Sequence, residues 1–132
     1  MRNTIIDIVE GTILTTCDTK IEVIKQLFES NFPMTTMIIT SDLQPVGIIS
    51  RKQLDKHFRS MHEYNLFMGE PVSSFMQKNF LSFEMSRPLE DLVIKAMNRP
   101  TEEMYDDIVI TNQQTILGIA SIRSLLLTVV PY

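Results

Sequence analysis

The apolar residues of this chain change their period several times, and each change marks an element. Ile21, Ile24, Leu27 and Phe28 recur at helical spacing, and Leu89, Leu92, Val93 and Ala96 do so again. Two short β-branched runs follow each stripe: Met37 to Thr40 with Val46 to Ile49, then Ile108 to Thr111 with Ile116 to Ala120. Between the paired runs, Ser41-Asp42-Leu43-Gln44 and Asn112-Gln113-Gln114-Thr115 predict hairpin connections. A short strand precedes each helix, Thr12 to Thr15 and Phe80 to Phe83, and a last helix begins at Ser50 and again at Ser121. The predicted order is β-α-β-β-α, twice over.

Helix starts carry their own signals. Thr19 with Glu22 has the spacing of a capping box, and Pro88 suits a first helical turn, where its missing N–H costs little. From His57 to Gly69 the chain is too apolar for a free linker. Phe58, Met61, Tyr64, Leu66 and Phe67 predict a continuation of the preceding helix and then a packed connection.

The two halves also match residue for residue. Val46-Gly47-Ile48-Ile49-Ser50-Arg51-Lys52-Gln53-Leu54 returns as Leu117-Gly118-Ile119-Ala120-Ser121-Ile122-Arg123-Ser124-Leu125, 71 positions on. Ile21-Glu22 matches Leu89-Glu90 at an offset of 68, and Asp7-Ile8-Val9 matches Ser74-Phe75-Met76 at 67. The offset grows only at Pro88 and near Asn98 to Thr101, where loops tolerate insertions. The chain is therefore an internal duplication. Each copy is close to the lower size limit for a core of its own, so the two are expected to pack together.

Composition narrows the function. With 44% hydrophobic and 21% charged residues, the chain is neither disordered nor fibrous. A net charge of −4 argues against a nucleic-acid partner, which selects a basic face. No apolar run approaches the roughly 18 residues of a bilayer span, and Asp7 interrupts any signal-peptide core. A single cysteine, Cys17, excludes an intrachain disulfide and suits a reducing compartment, so cytoplasm is the expected location.

The duplicated strand-to-helix motif, Gly47-Ile48-Ile49-Ser50 and Gly118-Ile119-Ala120-Ser121, resembles the signature of CBS domains. Val72-Ser73-Ser74-Phe75-Met76 is similar to the entry segment of the second domain in such pairs, and the resemblance runs from about Ile5 to Val129. It implies a mixed α/β (α+β) fold in which two β-α-β-β-α units, residues 5–62 and 70–130, pack as one Bateman module. It also implies a non-catalytic regulatory role, with AMP, ADP, ATP or a related adenosyl ligand held in a cleft between the domains and no cofactor required. In that family the motif Ser or Thr meets phosphate or ribose, and an Asp three positions on binds the ribose hydroxyls. Here Ser50 and Ser121 match, but the Asp positions hold Gln53 and Ser124. Both copies lack the sugar-binding carboxylate, so a nucleotide-free dimerisation or protein-interaction module is the alternative.

The candidate ligand residues are Thr35, Thr36, Ser50, Lys52, Gln53, Ser121 and Arg123. Ser50 and Ser121 lie where strand passes into helix, a position suited to a phosphate and equally to a helix cap, Ser50 and Gln53 having capping-box spacing. Lys52, Lys56 and Arg59 share a helix face, which as a rule is a solvated stripe. The second copy carries Asp106 and Asp107 where the first has Thr35 and Thr36, and adjacent carboxylates repel phosphate unless a cation pairs with them. With Glu102 and Glu103 they lack the ligand spacing of a metal loop. Cys17, His57 and His62 show no catalytic arrangement, so no enzyme activity and no metal are expected. The expected partners are a second copy, through Leu54, Phe58, Met61, Leu125, Leu126 and Val129, and an effector protein; neither nucleic acid nor membrane is expected.

Overall fold

A computed structural model describes residues 5–129, the side chain of Val129 excepted. Two three-stranded sheets carry the chain. The first contains β1 (Leu14–Thr16), β2 (Thr36–Ser41) and β3 (Gln44–Ser50), in that order, with β1 parallel and β3 antiparallel to the central β2. The second repeats the arrangement with β4 (Ser82–Glu84), β5 (Ile108–Asn112) and β6 (Thr115–Ala120). Among the described residues there are five α-helices: α1 (Ile21–Ser30), α2 (Arg51–His57), α3 (Met61–Phe67), α4 (Leu89–Met97) and α5 (Ile122–Val129). The mixed α/β class and the doubled β-α-β-β-α order hold.

The duplication extends to backbone detail. Both hairpins close with two residues at positive φ, Asp42 and Leu43 in the first and Gln113 and Gln114 in the second, as the tight primed turns of hairpins require. None of the four is glycine. Each central strand shifts register once, between Ile39 and Thr40 and between Ile110 and Thr111, at equivalent positions. Single 3-10 turns at Ile5–Ile8 and Val72–Ser74 are likewise equivalent. The central strands read as continuous apolar runs because both their faces are covered: Met37 to Ile39 and Ile108 to Ile110 are wholly buried.

The compact units do not follow the repeat boundaries 5–62 and 70–130, and residue 130 lies outside the described residues. Residues 12–79 form one unit, while residues 5–11 join residues 80–129 in the other. Hydrogen bonds give the reason. In the second-repeat unit Glu10 and Ile119 exchange both backbone bonds, at 2.8 and 2.9 Å, and Ile5 and Ile8 enter the core formed by Phe83, Leu92, Ile108 and Leu125. In the first-repeat unit Ile48 and Gln77 exchange the corresponding pair at 3.0 and 2.7 Å, and Val72 enters the core of Ile24, Phe28, Ile39 and Ile49. Each unit thus closes with the segment that precedes the other repeat in sequence.

Two local expectations fail. The Thr19–Glu22 capping box does not form; α1 starts one residue later, with Lys20 at its N-cap and no side-chain cap. The N–H groups of Ile21 and Glu22 donate instead to the carbonyls of Glu70 and Met68. A backbone segment does the work expected of a side chain. Nor does α2 continue through the connection: it ends at His57, and α3 restarts with Ser60 accepting from the N–H of Glu63. The connection is packed only in part: the rings of Phe58 and Phe67 each meet Phe75 edge-on, while Met61 and Leu66 of the expected set are exposed.

Candidate functional site

In the first-repeat unit β3 passes directly into α2, and Ser50 is the joint. Its Oγ accepts the N–H of Gln53 at 3.0 Å, while Gln53 Oε1 accepts the N–H of Ser50, also at 3.0 Å. The capping box read from the sequence is present. The other end of the Gln53 amide donates to Gln77 Oε1. Both ends of the side chain at the family's sugar-binding position are therefore engaged within the protein.

The neighbouring groups are arranged by the sheet. Thr36, 3% exposed, opens β2 and pairs in register with Ser50. Thr35 precedes it at the surface, and its carbonyl accepts the N–H of Arg51 at 2.9 Å. Lys52 is exposed on the first turn of α2. Thr35, Thr36, Ser50 and Gln53 thus meet at one junction with Lys52 beside them. The stripe Lys52, Lys56, Arg59 is shorter than expected: α2 ends before Arg59, so only the two lysines share its face.

Arg51, next to Lys52 in sequence, points inward. Its guanidinium donates to the carbonyl of Met34 at 2.7 and 3.1 Å and to that of Phe28 at 2.8 Å, and it lies over the rings of Phe28 and Phe32. It satisfies carbonyls left open where α1 ends.

The second-repeat unit has a simpler junction. Ser121 Oγ accepts the N–H of Ser124 at 3.0 Å and lies 3.0 Å from the Ser124 hydroxyl, and Arg123 is exposed. The acids of this repeat have a cation that sequence reasoning missed. Arg99 donates to the carbonyls of Ala96, Met104 and Asp106 at 2.9 to 3.2 Å. Burial lowers its pKa from the usual arginine value, and the nearby charges of Asp106, Glu103 and Asp107 oppose that shift. The available signal was its place just past α4, where cations complement the helix end. Among the described residues no cluster of three or more His, Cys, Asp or Glu is gathered in metal-binding geometry. Cys17 is half-buried with its Sγ 3.9 Å from the carbonyl of Thr40, and no described helix is long and apolar enough to cross a membrane.

The chemical capacity of the junctions follows. In both repeats the serine hydroxyl already accepts a helix N–H, and in the first the Arg51 and Gln53 N–H groups are taken. A phosphate would find fewer free donors here than at an uncapped helix.

By sequence the chain matches no protein-family model and no curated protein. By fold it has many counterparts. A CBS-domain-containing protein from Agrobacterium tumefaciens superposes with a TM-score of 0.72 at 16% identity, covering 97% of this chain and 100% of that one. A CBS domain-containing protein of unknown function from Bacillus anthracis gives 0.74 at 12% identity over 96% of this chain and 92% of the other. A conserved protein from Pyrococcus horikoshii gives 0.68 at 20% identity over 98% and 93%.

Proposed function

From the fold of a tandem pair of CBS domains, we propose that this chain is a non-catalytic regulatory module that works through self-association and a protein effector. The observation that carries this is the outward side of the helices in the second-repeat unit. Ile94 and Met97 on α4 and Leu126 and Leu127 on α5 are exposed, the last at 63%, with Tyr105 exposed at 80% nearby in sequence. Large apolar side chains left in water on both helices favour burial against a second copy, which presents the same patch by two-fold symmetry. The residues that fit this role differ from those the sequence suggested: Leu54 and Leu125 are core residues of their own units and Phe58 is half-buried, whereas Met61 and Leu126 are exposed. The side chain of Val129 lies outside the described residues. Light scattering after size exclusion is the test. The expected result is a dimer that Leu127→Asp converts to a monomer; a monomeric mass for the unmodified chain at high micromolar concentration would overturn the proposal.

A second reading, an adenine nucleotide at the first-repeat junction, is supported by the exposed Lys52 beside Ser50 and Thr35. The second repeat sets Asp106 and Asp107 at the corresponding place. Titration calorimetry with AMP, ADP and ATP tests it. Lys52→Ala should weaken binding, and Gln53→Asp should tighten it by about ten-fold by restoring a charge-assisted bond to ribose. Flat titrations with all three nucleotides would leave association as the function.

A further inference from the structure

A cavity of about 250 Å³ lies within the first-repeat unit, lined from α1, α2 and α3. It is distinct from the Ser50 junction. Its walls are aromatic and aliphatic: Phe28, Leu54, Phe58 and Tyr64, with the last two rings edge-on at 6.2 Å. Two charge pairs of equal spacing also line it, Lys25 with Glu29 on α1 and Arg51 with Asp55 on α2.

Spacing of four along a helix predicts that both pairs close. Only one does. Lys25 Nζ meets Glu29 Oε2, a contact that raises the lysine pKa, and Nζ lies 5.5 Å from the centre of the Tyr64 ring. Arg51 instead gives its guanidinium to the carbonyls of Phe28 and Met34. Among the described residues none forms a hydrogen bond or ion pair with the Asp55 carboxylate, whose charge acts on Lys25 from a distance, and three aromatic rings line the same cavity.

The duplication shows that the fold does not need these charges. The positions equivalent to Lys25, Glu29, Arg51 and Asp55 in the second repeat are Val93, Met97, Ile122 and Leu126. The corresponding helices form there with apolar residues at all four positions. The charged lining is a property of one copy alone.

We propose that this cavity binds a small α-amino acid with an apolar side chain. Its two cations and two carboxylates sum to zero, which matches a zwitterion and opposes both a simple amine, repelled by Lys25 and Arg51, and a simple acid, repelled by Glu29 and Asp55. The ligand ammonium pairs with Asp55, its carboxylate competes with Glu29 for Lys25 and faces Arg51 Nη1, the guanidinium nitrogen that bonds neither carbonyl, and its side chain lies on Phe58 and Tyr64. The volume falls below the roughly 300–1,000 Å³ of sites for drug-sized ligands and suits an amino acid better than a nucleotide. The site stands or falls independently of nucleotide binding at Ser50.

The experiment titrates the full chain with L-leucine, L-methionine and L-phenylalanine, each followed by backbone amide NMR shifts. Isoamylamine and 4-methylpentanoate, each lacking one charged group of leucine, serve as controls. The expected result is saturable binding of at least one amino acid, with shifts at Lys25, Asp55 and Tyr64 and much weaker binding of both controls. Asp55→Asn should weaken it about ten-fold or more through loss of a charge-assisted bond. Asp55 is exposed, so the variant should fold, as the unchanged remainder of the spectrum would verify. No saturable shift with any of the three at millimolar concentrations, controls that bind as well as the amino acids, or binding unaffected by Asp55→Asn would overturn the proposal. An AMP titration of Asp55→Asn separates the two sites, since its outcome should equal that of the unmodified chain.

Discussion

Replacing each motif glycine by alanine should have unequal consequences. Gly118 has φ +155°, and a Cβ there would stand 2.1 Å from the Glu10 carbonyl oxygen and 2.9 Å from its carbon. Both obstacles are backbone and cannot rotate away. Alanine must therefore strain β6, at about 1–3 kcal/mol for an unfavourable backbone conformation, or part the Glu10–Ile119 bridge, at about 0.5–1.5 kcal/mol for each of its two hydrogen bonds. A loss of about 2–6 kcal/mol follows where both occur. At Gly47 φ is not positive, and the new Cβ meets the Met76 sulfur at 2.5 Å and its Cγ at 2.8 Å, both on a flexible side chain, with the Gln77 carbonyl oxygen further off at 3.2 Å. Displacing it costs about 0.5–1.5 kcal/mol, the scale of one unfavourable rotamer. Urea unfolding should thus show a clearly lower midpoint for Gly118→Ala than for Gly47→Ala. Hydrogen exchange should speed at the Glu10 and Ile119 amides in Gly118→Ala only. Equal stabilities for the two variants, or unchanged exchange at Glu10, would refute the reasoning.

Other outcomes follow from the same contacts. Ser50→Ala and Ser121→Ala should each lower stability by about 1 kcal/mol without any ligand present, because each hydroxyl accepts a helix N–H; thermal melts check this. Arg99→Met should cost about 2–4 kcal/mol in urea unfolding, since three carbonyls lose a charged donor, and Arg99→Lys should restore little of it because an ammonium lacks the planar fork.

What the sequence made legible was local. The stripes of Ile21, Ile24 and Phe28 and of Leu89, Leu92 and Ala96, the β-branched runs and the Ser50–Gln53 box each depend on residues a few positions apart, and each formed. The matched offsets of the two halves carried the doubled topology. What escaped depends on distant backbone. The start of α1 moved because the carbonyls of Met68 and Glu70 reach its N–H groups, and no pattern near Thr19 signals them. Arg51 stands next to the exposed Lys52 in sequence, yet open carbonyls at the end of α1 draw it inward. At the candidate site the residues that meet were foreseen; that Gln77 would engage Gln53 was not.

The exchange of segments between repeats also sets an order of events during synthesis. The first-repeat unit is continuous in sequence and has all its parts once residue 79 has left the ribosome. The second-repeat unit must wait for β6, because the ribbon around Glu10 pairs with Ile119, nearly the whole chain away. At about 5–20 residues per second that delay lasts seconds, far longer than loop closure or collapse. Through it Ile5 and Ile8, core residues of the finished protein, have no core to enter. The segment around Ile5 and Ile8 is therefore made before every strand it joins yet is among the last to be covered, and a chaperone that recognises short apolar segments has that interval in which to hold it.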